Sequence, residues 1–115
     1  MPNSALKKLE ARTPEAANVF AALGDTTRLG LVARLCDGSQ CSISELSQGT
    51  ALTRQAITKH LRVLEEAGVV SSRKSGRESL YALNPQCLHD ATAYMDVVAR
   101  QWDQALGRLK AHVEG

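Results

Sequence analysis

Aromatic side chains are scarce in this sequence, which contains one phenylalanine, two tyrosines and one tryptophan among 115 residues. Hydrophobic residues nevertheless make up 43% of the chain, so we expect a mainly aliphatic core built from helices. No run of about 18 apolar residues is present to span a membrane. The opening segment, MPNSALKKLEARTPEA, has no apolar stretch long enough for a secretory signal, which favours a cytoplasmic location.

Cysteines and catalytic motifs are also few. Cys36, Cys41 and Cys87 are odd in number and have no CxxC spacing, which argues against a disulfide scaffold. Cys36 and Cys41 could form a thiol switch, although separated cysteines are more often small apolar filling residues. The sequence has no nucleophile elbow, no paired carboxylates placed by a motif and no phosphate-binding glycine loop. We therefore do not expect an enzyme.

Charge of one sign is not abundant overall, because the formal net charge is only +2. Its distribution is more informative. Between Ala51 and Leu80 six basic residues face three acidic ones, whereas the segments on either side are nearly balanced. An anionic partner would therefore meet the middle of the chain. The six basic residues are Arg54, Lys59, Arg62, Arg73, Lys74 and Arg77.

The first helix is predicted from Thr13 and Pro14, because threonine can cap a helix and proline is tolerated in its first turn. This prediction places the helix at residues 14–23. Residues 1–12 would then be a flexible N-terminal segment, followed by a single domain at residues 13–115.

The second helix is predicted to begin after Asp25 or Thr26, either of which can cap it, and to stop at Asp37-Gly38. Apolar residues then recur with helical spacing, which predicts that they face the core. They are Leu29, Val32, Ala33 and Cys36.

Two further helices follow with helix–turn–helix spacing. Ser42 and Glu45 have the spacing of a capping box at the start of a short third helix. Thr53 can cap a fourth helix, predicted at about residues 53–67 and stopped by Gly68. A short capped helix, a tight turn and a second helix are typical of a helix–turn–helix unit.

The fourth helix has two distinct faces. Its apolar face consists of Ile57, Leu61 and Leu64 at i, i+4 and i+7. The other face carries residue types that suit DNA, since glutamine can pair with adenine, arginine or lysine with guanine or phosphate, and threonine with a base or its methyl group. These residues are Gln55, Thr58, Lys59 and Arg62, with Arg54 beside them. A solvent-exposed helix face is the alternative reading of the same charges.

A hairpin and a long helix complete the chain. VVSSRK and ESLYAL are strand-like and joined at Gly76, which predicts a basic wing at about residues 69–83. Asn84-Pro85 should open a helix to about residue 113, roughly 40 Å long. An apolar seam runs along this helix, and with Phe20 and the first helix we interpret it as a two-fold dimer interface. The seam could instead only attach the helix to its own domain. Its residues are Leu88, Ala91, Met95, Val98, Trp102 and Leu109.

The run from Leu23 to Leu83 resembles the winged helix–turn–helix regulators of the ArsR/SmtB family. The resemblance lies in ALGDTTR, in KHLRVLEEAGVV and in GRESLYAL, which occur here in the order of that family. It implies a mainly α fold with a small β-hairpin wing, dimeric through the terminal helices. The function implied is a homodimeric repressor that binds double-stranded, near-palindromic DNA.

The resemblance also suggests roles for individual residues. It implies that Gln55, Thr58 and Lys59 read bases or backbone, that His60 lies near phosphates, and that the wing residues Arg73, Lys74 and Arg77 contact DNA. His60 could equally be a packed histidine, because it lies at the margin between the two faces. Thr53 is more typical of a cap, and Arg28 of a side chain paired within the fold.

The metal sites of the family are not matched in this sequence. A Cys-x-Cys-Asp-Leu run is replaced by Ser42-Ile43-Ser44-Glu45-Leu46, and the histidine pattern of the last helix is absent. We therefore expect no metal and no cofactor, and the sequence names no small-molecule or redox effector. QWDQALGRLK resembles a metal-independent subgroup. The competing hypothesis is a winged-helix protein-interaction module that reads no DNA sequence, for which salt dependence would be weak.

Overall fold

The structure, a computed structural model, describes residues 4–115 apart from the side chain of Ala5. Helices and short antiparallel strands make up that part of the chain, and none of its helices is long and apolar enough to cross a membrane. The elements are α1 Ser4–Leu23, α2 Thr26–Arg34, β1 Cys41–Ser42, α3 Ile43–Ser47, α4 Arg54–Glu66, β2 Val70–Ser75, β3 Glu78–Leu83 and α5 Pro85–Glu114.

The core is aliphatic, as expected, and α4 passes through its centre. Ile57, Leu61 and Leu64 are each 0% exposed, which confirms the predicted apolar face of that helix. Burying such a side chain contributes about 1.5–3 kcal/mol relative to leaving it in water. Residues from α1, α2, α3, the hairpin and α5 surround this face, among them Val19, Ala22, Leu31, Leu35, Leu46, Val69, Val70, Tyr81 and Ala91.

The predicted start of α1 at Pro14 is wrong, because the helix begins at Ser4 and has Pro14 in its interior. Proline provides no N–H for the carbonyl group of Glu10, so sequence rules place it near a helix start. Residues 4–12, predicted to be flexible, are helical. Residues 1–3 of that segment lie outside the described residues.

Contacts with α5 give a physical reason for the longer α1. The Thr13 hydroxyl donates to the Leu9 carbonyl at 2.8 Å, so it follows the helix instead of capping it. The Tyr94 hydroxyl lies 2.8 Å from the Thr13 hydroxyl oxygen and can donate to it. The rings of Phe20 and Tyr94 are also in contact, with centroids 6.4 Å apart. These contacts hold α1 on α5 around Pro14, and the preceding residues 6–12, LKKLEAR, are strong helix formers, so the helix continues on both sides of the proline.

The predicted apolar stripe of α2 is also wrong. Leu31 and Leu35 face the core with 3% and 0% exposure, whereas Leu29 is 53% exposed. Both sets have helical spacing, so the choice between them depends on which face α1 and α4 cover. Ala33 and Cys36, also predicted to face inward, are exposed, and Val32 is partly buried against the core.

Thr13 does not cap α1, but the caps of the later helices agree with the sequence prediction. Ser42 and Glu45 form both hydrogen bonds of the capping box at the start of α3, with donor–acceptor distances of 3.2 and 2.9 Å. Asp25, Thr53 and Asn84 each accept a backbone N–H at the start of the helix that follows. These bonds satisfy amide groups that have no partner inside a helix.

The hairpin forms an antiparallel sheet with strand order β1-β3-β2. Val70 pairs with Leu83 and Ser75 with Glu78, so a two-residue turn joins β2 and β3. Gly76 takes φ +63° there, a conformation that suits glycine in a tight hairpin. The short strand β1, which the sequence did not predict, pairs with the middle of β3.

The long helix α5 gives the molecule an elongated shape of 66 × 26 × 21 Å. Its 30 residues span about 45 Å. Ala91 is buried and Leu88 packs against the core, so the first turns attach α5 to the domain. The second half of the helix carries exposed apolar residues.

Candidate nucleic-acid interface

The polar face of α4 lies at the surface, as predicted. Arg54, Gln55, Lys59 and Arg62 are exposed, and Thr58 is partly buried. The hydroxyl group of Thr58 donates to the carbonyl of Arg54 at 2.8 Å, so contact with a base would use its methyl group or its oxygen lone pairs. This face therefore presents both charged and neutral hydrogen-bonding groups to a ligand.

His60 is turned toward its own domain. Its Nδ1 atom lies 3.4 Å from Nη1 of Arg28 and 3.9 Å from Oδ2 of Asp25, and 25% of its side chain is exposed. The pKa of Asp25 is lowered, chiefly by the backbone N–H of Arg28 and also by the charges of Arg28 and His60. His60 thus packs between α2 and α4, in agreement with the alternative reading, and a contact with phosphates stays a prediction.

Basic side chains continue from α4 onto the wing. Lys74 and Arg77 are exposed at the tip of the hairpin. The Nε atom of Arg73 donates to Oε1 of Gln40 at 2.9 Å, so its orientation is fixed by the loop before β1. Charges on the wing therefore divide into one restrained arginine and two exposed cations near the turn.

Other side chains that orient the site were not predicted from the sequence. The hydroxyl of Ser72 on β2 donates to Oε2 of Glu65 on α4 at 2.7 Å and so connects the wing to the helix. Arg34 donates to the carbonyls of Leu46 and Glu45 at 2.6 and 3.3 Å and so holds the end of α3. These partners lie on different elements, and no spacing rule of a single helix or strand reveals them.

The cysteines are free thiols in different surroundings. Cys36 is exposed, whereas Cys41 and Cys87 are partly buried. Burial raises the pKa of Cys87, and the nearby charge of Asp90 raises it further. A switch formed by Cys36 and Cys41 stays a prediction. In residues 4–115 we find no group of three or more histidine, cysteine or acidic side chains able to hold a metal ion.

The residues of the predicted dimer seam fall into two groups. Met95, Trp102 and Leu109 are 47%, 63% and 59% exposed and lie on the exposed side of α5. Leu88, Ala91 and Phe20 belong to the packing of α1 and α5 within the chain, and Val98 is partly buried between the groups. Further exposed apolar residues accompany the first group, namely Leu6, Leu106 and Val113.

Known proteins are similar to this chain both in sequence and in fold. Residues 25–72 match the model of the bacterial regulatory proteins of the arsR family. The HTH-type transcriptional regulator Rv2034 of Mycobacterium tuberculosis is 35% identical over 95 residues, which cover 83% of each chain. This chain belongs to the ArsR family.

Two further proteins are similar to this chain. The structure of an ArsR-like transcriptional regulator from Rhodococcus sp. RHA1 matches with a TM-score of 0.78 and 35% identity, over 88% of this chain and 94% of the other. The transcriptional repressor SdpR of Bacillus subtilis is 30% identical over 78 residues, 68% of this chain and 86% of SdpR. The protein is therefore a transcriptional regulator with a winged helix–turn–helix DNA-binding fold.

Proposed function

We propose that this ArsR-family regulator is a homodimeric repressor that binds a near-palindromic operator. The observation that carries the proposal is the exposed polar face of α4, which continues into the basic wing tip. In this arrangement the first turns of α4 enter the major groove and the wing lies along the flanking backbone. Thr53 caps α4 through the amide of Ala56, and the other amides at that end favour an anion such as phosphate.

Each part of this surface has a different role in the proposed complex. Gln55 can form two hydrogen bonds with adenine, and Lys59 or Arg62 can bind guanine or a phosphate. Lys74 and Arg77 contact phosphates, which adds affinity for every sequence alike. Neutralising phosphates releases counterions, so binding should weaken steeply as salt is raised.

The exposed half of α5 supports a homodimer. Trp102 and Leu109 are large apolar residues with most of their surface in water, at the heptad spacing of a helix–helix contact. A second copy of the chain would cover both through a two-fold axis. That symmetry places two α4 helices on half-sites roughly 34–36 Å apart, about one turn of DNA.

Repression follows from occupancy in this proposal. The related SdpR is a transcriptional repressor, which supports the same role here. A dimer bound across a promoter blocks the access of RNA polymerase without requiring a catalytic step. Regulation of a neighbouring gene or of its own promoter would use the same mechanism.

Selection of binding sites from random duplex DNA tests the proposal directly. The purified protein should enrich a near-palindromic motif, and affinity for the winning duplex should fall steeply between 50 and 200 mM salt, by roughly 10³-fold or more for six or more phosphate contacts. No enriched motif, together with weak salt dependence, would instead support a winged-helix module that binds another protein.

A further inference from the structure

One side chain of α2 connects two other helices. The Nε atom of Arg28 donates to the carbonyl of Ala22 at 2.6 Å, and Nη2 lies at the longer distance of 3.5 Å from the carbonyl of Ala21. Both carbonyls belong to the last turn of α1, where a cation is favoured by the partial negative charge of the helix end. The Nη1 atom lies 3.4 Å from Nδ1 of His60 on α4.

The contact between Arg28 and His60 joins a guanidinium group to a ring nitrogen. Arginine has only donors, so this contact is a hydrogen bond in the tautomer of His60 whose Nδ1 atom carries no proton and can accept. Asp25 holds the backbone of Arg28, because its Oδ2 atom accepts the backbone N–H of Arg28 at 3.1 Å. Arg28 is therefore restrained at its backbone as well as at its guanidinium group.

These contacts matter because α1 and α4 have different tasks in the proposed function. The helix α1 lies beside α5 at the proposed dimer interface, and α4 reads DNA. The two helices also share the apolar core, but the attraction between apolar groups is itself non-directional. A planar guanidinium group with several donors fixes orientation much better.

We propose that Arg28 is a positioning residue that holds α4 at a set angle to α1 through His60, and so sets the spacing of the half-sites that the dimer accepts. This inference rests on the proposed homodimeric DNA binding. Arg28 is not required to touch DNA. Its effect should therefore be seen in spacing preference and not in affinity for a single half-site.

The test uses Arg28→Lys, which keeps the positive charge but cannot reach the α1 carbonyls and His60 together. Arg34→Lys is the matched control, because Arg34 also lies on α2 and donates to helix-end carbonyls but has no contact with α4 among its hydrogen bonds. The probes are the selected operator, the same operator with its centre lengthened or shortened by one or two base pairs, and a duplex with one half-site.

We expect the wild-type protein and Arg34→Lys to prefer the parent spacing by at least roughly 5-fold, a typical size for coupling between sites. Arg28→Lys should lose most of this preference while its affinity for one half-site changes by less than about 2-fold. His60→Leu should also lose the preference, because leucine offers no acceptor. His60→Gln should keep part of it, because the amide oxygen can accept from Arg28.

Several outcomes would overturn the inference. If Arg28→Lys retains the full spacing preference, Arg28 does not position α4, while the proposed function still stands. An equal loss on the single half-site would mean direct contact with DNA or general damage to the fold. If circular dichroism shows that Arg28→Lys is unfolded, His60→Leu provides the same test, and retained preference in that variant contradicts the proposal. A wild-type protein without any spacing preference would contradict the proposed dimer itself.

Discussion

Single leucines on α2 distinguish the observed core face from the one predicted by spacing. Leu31 is 3% exposed and Leu29 is 53% exposed, two positions apart on the same helix. Leu31→Ala should lower the free energy of unfolding by about 2–5 kcal/mol, because it removes buried methyl groups and leaves a cavity. Leu29→Ala is the control and should change it by less than about 0.5 kcal/mol. Urea unfolding at one protein concentration measures both, and a larger loss for Leu29→Ala would contradict the packing of α2.

Gln55 and Arg77 should differ in the kind of binding that they support. Gln55→Ala should relax preference at one base pair and cost about 1–3 kcal/mol on the best operator, because a pair of hydrogen bonds to a base is lost. Arg77→Ala should weaken binding to all sequences alike and reduce the salt slope by about one unit, because one phosphate contact is lost. Fluorescence anisotropy with the selected operator and a scrambled duplex measures both effects. Equal losses on both duplexes for both variants would rule out this division of roles.

For α4 the sequence predicted the two faces of the helix better than the partners of its side chains. The exposed and buried sides of α4 follow from periodicity alone, because a helix repeats every 3.6 residues. Arg73 and Gln40 are 33 positions apart, and Arg28 and His60 are 32 apart. Their contacts depend on how whole elements pack together, which a single sequence does not reveal. The sequence did indicate that Arg28 pairs within the fold, but not that it reaches His60.

At the scale of elements, the success of prediction depended on how local the determining interactions are. The capping box of Ser42 and Glu45 involves residues three positions apart, and the hairpin turn needs only one glycine, so both were predicted. The start of α1 was not predicted, because α1 packs on α5 and continues through Pro14, although proline usually marks the first turn of a helix. The strand β1 has two residues and exists only through its pairing with β3, so no local pattern could identify it.

Two glycines provide a test of element stability with opposite expected signs. Gly76 has φ +63° in the wing turn, so Gly76→Ala should cost about 1–2 kcal/mol through backbone strain. Gly30 lies inside α2, and apart from its chain neighbours and the backbone of its own helix a methyl group there would meet no heavy atom within 4 Å. Gly30→Ala should therefore stabilise the protein, by about 0.5–1 kcal/mol. Thermal unfolding at a fixed protein concentration measures both changes, and a stabilising Gly76→Ala would contradict the observed turn.

For the whole molecule, the apolar seam of α5 combined two roles that the sequence could not separate. Leu88 and Ala91 attach the helix to its own domain. Part of the seam therefore packs within the chain, which was the alternative to a dimer interface. From Met95 onward the same repeat continues, with Met95, Trp102 and Leu109 exposed and Val98 partly buried. A heptad pattern shows which residues share a face, but not whether that face meets its own chain or another. Whether the face is covered within the chain depends on how far the other elements extend along α5, and residues 106–114 of that helix are exposed.

Trp102 should be central to the proposed dimer, because it is the largest exposed apolar residue of the seam, with 63% of its surface in water. Trp102→Lys would place a charge in the middle of that interface and should weaken dimerisation by about 2–4 kcal/mol, the range of an interface hot spot. Gln104→Lys is the matched control, because it adds the same charge two positions along α5 and outside the seam. Sedimentation velocity over a range of protein concentrations should show that Trp102→Lys is monomeric, whereas the wild-type protein and Gln104→Lys form dimers. The affinity of Trp102→Lys for the palindromic operator should fall much more than its affinity for one half-site. Unchanged dimer mass in Trp102→Lys would mean that the two copies meet elsewhere, and the spacing expected between the α4 helices would then have to be derived from a different axis.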